Sequence, residues 1–320
     1  MFKEKSSLYR EILRLTWKIT WQERLLWVLG VFSALIVTGG ALEILSRNLN
    51  WAFNPDWRKF GFASSGFYFD WSGGPWLVVL GLLLAALFIF LAFMSVRSFS
   101  SLILLASQYR EGRRLNLEKM WRLGSGHFWP ILGIAAFFKI LILVFSCLSV
   151  LPLWMLWAEQ GKIWLWAYPL FFLAAICACL VCSFLLVYAS AYVILEKKKF
   201  GSSILSAWRL FVKHWLVSLE MAAVIFAINF LFGLIALLGT VVVGLPFIIL
   251  LLFSYFISLP ILAEIGIFLA ILFLLLLTVW IGGFLGTFHV VAWTLLFKRM
   301  AEGTALSKLL RLTAGLFAKK

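Results

Sequence analysis

Lys139 is the residue whose placement most invites chemistry. It is the only charged residue between Phe128 and Val150. Helix rise sets it about 16 Å past Phe128, near the middle of a bilayer. A charge at that depth costs at least about 2.5–3.5 kcal/mol unless it is paired or hydrated, so it marks a polar path or pocket by default. Glu220 is the acid best placed to answer it, about 7–8 Å inside its own apolar run. A Lys139–Glu220 pair would line a polar path or simply tie two helices together. Alternatively the lysine snorkels alone, because its Cβ tilts back toward the nearer face. Asn229 and His289 are the other polar candidates inside apolar runs, and each fits a helix–helix hydrogen bond.

Other reactive residue types lie too far apart for a reaction centre. Cys177, Cys179 and Cys182 form a C-x-C-x-x-C string inside an apolar run, with Cys147 in another. On a helix Cys177 and Cys179 point about 200° apart, so they cannot share a face. With 3 histidines in the chain and no acid beside the cysteines, a metal cluster is not expected. The sequence holds no G-x-x-x-x-G-K-[ST], H-E-x-x-H or G-x-S-x-G. The expectation is a chain without catalytic residues, metal or cofactor.

The elements that carry these residues are membrane helices. The 320 residues are 64% hydrophobic and only 13% charged, against about 25% charged in soluble domains. That leaves too little polar surface to cover a water-soluble globule. Runs of about 20 apolar residues, the length that crosses a hydrocarbon core, fall near 25–45, 76–96, 128–150 and 164–185. One longer territory, 215–297, has no Lys or Arg and only Glu220 and Glu264 as acids. Gly239, Gly244, Pro246 and Pro260 interrupt it. It predicts spans near 215–238 and 265–293, with a re-entrant or interfacial apolar connector near 241–261. Within the last span Gly282 and Gly286 form a GxxxG that permits close helix approach. The expected fold is all-α: one polytopic bundle over 1–320, with about six spans.

The net charge of +15 taken alone would suit nucleic acid, but its placement points to a membrane surface. Segments 1–24, 97–127, 196–214 and 298–320 hold 23 of the 28 Lys and Arg. Under the positive-inside rule these four segments, including both termini, are cytoplasmic. The expected location is a cell membrane, and the expected partners are the bilayer, its anionic headgroups and a further membrane protein. The segment 46–75 carries Trp51, Phe53, Trp57, Phe60, Tyr68 and Trp71 among polar residues, as a loop lying on headgroups would.

Two of the basic segments resemble each other. Trp121-Arg122-Leu123 precedes His127-Phe128, and Trp208-Arg209-Leu210 precedes His214-Trp215. Asn116 and Ser203 stand six positions before each Arg as helix caps. Weaker copies centre on Arg14 and Arg311. Ile204, Trp208, Phe211 and Trp215 form an apolar stripe, as do Leu8, Ile12, Leu15 and Ile19. Such helices lie in the interface with cations toward phosphates. Trp121, Arg122, Trp208, Arg209 and Arg311 are therefore the expected lipid contacts. Three copies of interfacial helix plus hairpin, closed by a fourth interfacial helix, describe the whole chain.

The string Tyr192-Val-Ile-Leu-Glu196, Gly201, Ala207-Trp208-Arg209-Leu210 and His214-Trp215 resembles the six-span bacterial membrane domain found fused to glycerophosphodiester phosphodiesterases. It also resembles that domain's stand-alone relatives of unknown function. In the fused proteins the chemistry belongs to a separate soluble barrel, which has no counterpart in this sequence. The resemblance implies a membrane domain without a reaction of its own: a scaffold, or a bundle that contacts lipid or a partner. The alternative from the residues is a transporter or channel built around Lys139.

Overall fold

The computed structural model describes residues 8–37, 75–110, 117–157, 163–257 and 259–303. Apolar runs in lipid must satisfy every backbone N–H and C=O internally, and the described elements are accordingly helices: α1 (Leu8–Gln22), α2 (Leu26–Val37), α3 (Pro75–Arg110), α4 (Leu117–Gly124), α5 (Phe128–Trp157), α6 (Ile163–Glu196), α7 (Phe200–Ile257) and α8 (Pro260–Ala301). Five of them, α3 with α5 to α8, are long and apolar enough to cross a membrane, and α2 is a shorter apolar helix. The chain is an all-α polytopic membrane protein. The first expected span, 25–45, is described only as far as Val37. The aromatic loop lies outside the described residues, as do Asn116 and Arg311.

The backbone breaks ahead of three of the apolar helical stretches. Between α1 and α2 the backbone turns through bonds from Leu26 N to Glu23 O (2.9 Å) and Trp27 N to Arg24 O (3.0 Å). Between α4 and α5 stands a 3-10 turn, Ser125–His127. Within α7 the break is His214, with φ −129° and ψ 29°.

The chain divides into two compact units. One comprises residues 1–34, 101–117 and 210–320, the other residues 35–100 and 118–209. In the first unit α1 packs along α8. Trp17 stacks on Trp21 and meets Phe232, Phe284 and Phe288, while Trp27 meets Trp280 and Phe284. Of the apolar stripe read from the sequence as facing lipid, Ile12 and Ile19 are buried and face protein here. The aromatic rings of α8 gave α1 a large apolar surface to cover.

Where α2 crosses α8, backbones touch. A methyl group built on Gly30 would collide with Gly283 O, one on Gly283 with Trp27 O, and one on Gly286 with Gly30 O. Thr287 Oγ1 donates to Leu26 O at 2.7 Å across the same contact. The expected GxxxG is shifted by one member. Gly282 has open space around it, because Gly283, Gly286 and Thr287 share the face toward α2.

The expected connector at 241–261 is helical instead. α7 continues through it to Ile257, and α8 begins at Pro260. Leu259 N donates to Ser254 O (3.2 Å), and Ser254 Oγ donates to Leu259 O (2.6 Å). The two helices run antiparallel, with Phe247 beside Phe273 and Gly239 against Leu277. Gly239, Gly244 and Pro246 do not end the helix, because an apolar surrounding offers a broken backbone no other partner.

In the second unit α5 and α6 form the main helix pair. Every residue of α6 from Phe184 to Ile194 is buried, and buried Cys179 lies 3.9 Å from both Ser146 Oγ and Ile142 O. Cys182 is buried while Cys177 is exposed, as their separation around the helix requires. Phe200 caps the pair from the start of α7, against Gly133 and Phe137.

Candidate functional site

The polar residues buried among the helices mostly bond their own backbone. Thr16, Thr20, Ser100, Ser190 and Thr294 each donate to the carbonyl four residues back, at 2.7–2.9 Å. Small hydroxyl residues satisfied in this way allow close helix contact without an aqueous path.

Lys139 and Glu220 have different partners from those the sequence offered. Lys139 Nζ donates to Leu35 O at 2.6 Å. Leu35 lies on α2, within the described part of the first apolar run. Among the described residues no carboxylate lies within ion-pair reach of Lys139. Glu220 accepts a hydrogen bond from the hydroxyl of Tyr9. The expected pair needed the lysine to span most of a depth difference of about 8–9 Å; Lys139 and Glu220 belong to different units, and each bonds a group of its own unit. Tyr9 was invisible as a partner because α1 read as a helix lying flat on the membrane. Asn229 and His289 are half-buried on α7 and α8, and no Asn229 partner stands out among the described residues. The His289 ring lies 6.1 Å from that of Trp293.

The basic–aromatic segments separate into two kinds of residue. Trp121 is half-buried and acts as a socket. Arg97, on α3, donates from Nε to Trp121 O at 3.2 Å, and its guanidinium sits 4.4 Å from the centre of the Trp121 ring and 5.7 Å from that of Phe93. Arg122, next in sequence, is exposed. On the first part of α7, Ser203, Ala207 and Leu210 are buried, while Arg209 and Lys213 are exposed. Trp208 is 48% exposed and Trp215 55%. Ser203 is not a cap: it lies inside α7 and its Oγ donates to Phe200 O at 2.7 Å. Trp208 and Trp215 therefore point outward beside the cations, while Ser203, Ala207 and Leu210 point in.

Two features were not legible in the sequence. Lys197, between α6 and α7, has φ +53°. It turns the chain so that Lys198 Nζ reaches Glu196 (3.0 Å), Ser206 Oγ (3.1 Å) and the face of Tyr192 (4.1 Å to the ring centre). In the first unit Arg299 of α8 pairs with Glu11 of α1, beside a cleft of about 230 Å³ lined by Glu11, Ile12, Leu15, Leu295 and Arg299. His127 Nδ1 and His214 Nε2, at two of the three breaks, are buried without a hydrogen-bond partner among the described residues.

These helices and their ends define a helical integral membrane protein. No family model matches the chain, and comparison with curated proteins and with solved structures returned no match.

Proposed function

We propose that the protein is a non-enzymatic module of a bacterial cell membrane that acts by holding lipid headgroups and a membrane-protein partner, with both termini in the cytoplasm. The observation that carries this reading is the arrangement of residues 200–215. Trp208, Val212 and Trp215 are exposed beside Arg209 and Lys213, a surface suited to the layer where acyl chains meet phosphates. Arg122 is exposed at the matching position of α4. The clustering of 23 of 28 Lys and Arg in four segments supports a cytoplasmic placement for those segments. The resemblance to the membrane domain of phosphodiesterase fusions agrees with a module that performs no reaction itself.

Replacing Arg122 and Arg209 together with Glu tests this reading, since it sets anions against an anionic surface. Membrane integration and yield are expected to fall. Unchanged integration and stability in native-like lipid would count against the reading.

A transport role has one observation behind it, the ammonium of Lys139, inside the membrane-spanning α5, bonded to the Leu35 carbonyl of α2. It requires Lys139→Met to fold normally in reconstituted vesicles and lose a solute flux that the wild type shows.

A further inference from the structure

The α1–α8 cleft combines a charged rim with an apolar floor. Glu11 and Arg299 form an ion pair at the rim, with side chains 51% and 28% exposed. Leu15 follows Glu11 by one turn of α1, and Leu295 precedes Arg299 by one turn of α8. Ile12 and Leu295 are themselves buried. Beyond this floor Trp17 packs on Phe284 and Phe288, so α8 passes from the charge of Arg299 into apolar packing, while α1 keeps Arg14 and Lys18 on its exposed side. Beside the rim Lys298 is engaged, donating from Nζ to Ser107 O at 3.1 Å.

An amphiphile fits this gradient. The cleft, about 230 Å³, is below the roughly 300–1,000 Å³ of sites for drug-sized ligands. It suits a headgroup rather than a whole lipid, leaving the acyl chains along Leu15 and Leu295. The two charges that line it, Glu11 and Arg299, already pair with each other, so an entering headgroup must replace both partners at once. An anionic headgroup would meet Glu11, and a cationic one would meet Arg299. A zwitterion can satisfy both, with phosphate on the guanidinium in a two-pronged, charge-assisted contact and the amine on the carboxylate. A primary ammonium has three N–H donors for that carboxylate, whereas a quaternary ammonium has none.

We propose that the α1–α8 cleft binds the headgroup of a phospholipid carrying a primary ammonium, with Arg299 holding the phosphate and Glu11 the ammonium. This rests on the lipid-binding reading above and names the lipid class at one site. In a bilayer the phosphate is tied to the glycerol while the ammonium extends away from it, so the site is polar in direction as well as in charge.

The full-length protein is reconstituted in phosphatidylcholine bilayers doped with phosphatidylethanolamine, phosphatidylglycerol or additional phosphatidylcholine, and lipid retention is measured by native mass spectrometry. The wild type is expected to retain phosphatidylethanolamine about tenfold over phosphatidylcholine, as loss of charge-assisted hydrogen bonds implies. The exchange Glu11→Arg with Arg299→Glu keeps an ion pair but reverses its direction. It is expected to lose the preference while keeping the wild-type unfolding temperature in phosphatidylcholine. Should the exchange fail to fold, Glu11→Gln leaves a net positive cleft and is expected to move the preference to phosphatidylglycerol. Equal retention of both zwitterionic lipids by the wild type overturns the proposal. So does a preference that survives the exchange, or one that Glu11→Gln leaves unmoved. Equally tight binding of water-soluble glycerophosphoethanolamine overturns the role of the apolar floor. Failure here with an intact response of Arg122 and Arg209 to anionic lipid leaves the broader reading standing; loss of both removes both.

Discussion

Gly30 of α2 and Gly283 of α8 meet backbone to backbone, so that a side chain on Gly30 would occupy the position of the Gly283 carbonyl oxygen. Lipid tails provide no hydrophobic drive between helices, so association depends on van der Waals contact and interhelical hydrogen bonds. Both are present at this crossing, where Thr287 reaches the Leu26 carbonyl.

Alanine at Gly30 or Gly283 is therefore expected to destabilise the fold by at least about 1–3 kcal/mol, the usual cost of overpacking. Gly282→Ala, one residue away with open space around it, is expected to be neutral or to stabilise by about 0.5–1 kcal/mol through helix propensity. Unfolding in mild detergent compares the three. A Gly282 variant as damaged as the Gly283 one would show that another face of α8 meets α2.

Arg97 binds Trp121 through both its ring and its carbonyl. Arg97→Lys keeps the charge but loses the flat stacking surface. It is expected to lose roughly half of what Arg97→Met loses. A double-mutant cycle with Trp121→Ala is expected to give a coupling of about 0.5–2 kcal/mol. Additive losses would mean that the stack contributes nothing.

Much of the fold was legible because lipid imposes one rule on every residue. Long apolar runs had to be helices, and 128–150 and 164–185 lie inside α5 and α6. The partners of polar groups were not legible. Spacing along one helix gives depth, whereas a hydrogen bond depends on which helix stands alongside. Tyr9, 211 positions from Glu220, had no periodic signal to betray the contact. The shift from Gly282 to Gly283 has the same origin, since the motif names a spacing and the neighbouring helix selects the face. The Glu11–Arg299 pair, 288 positions apart, was equally silent. Exposed Arg122 and Arg209 were readable from their own surroundings, because an amphipathic pattern is local.

Lys139 and Glu220 answer to different groups, so their substitutions should not communicate. Lys139→Met and Glu220→Gln are expected to add within about 0.3–0.5 kcal/mol in a double-mutant cycle. An interaction energy well above that, with the double variant recovering stability, would restore the direct pair.

Lys197 holds a left-handed backbone at φ +53°, a conformation that costs a side-chain-bearing residue about 1–2 kcal/mol. Lys197→Gly removes that cost and is expected to stabilise the protein by about 0.5–1 kcal/mol, net of the added freedom of the unfolded chain. Thermal unfolding of the two proteins side by side checks the sign.

The role proposed for exposed Arg122 and Arg209 is to hold the protein to anionic lipid. It is tested most directly by the unfolding free energy of wild type and Arg122→Gln/Arg209→Gln in bilayers with and without anionic lipid. At about 1 kcal/mol per basic residue near an anionic surface, anionic lipid should stabilise the wild type by about 2 kcal/mol more than the double variant, with the difference shrinking as salt is raised. An equal response of the two proteins to anionic lipid would contradict the account.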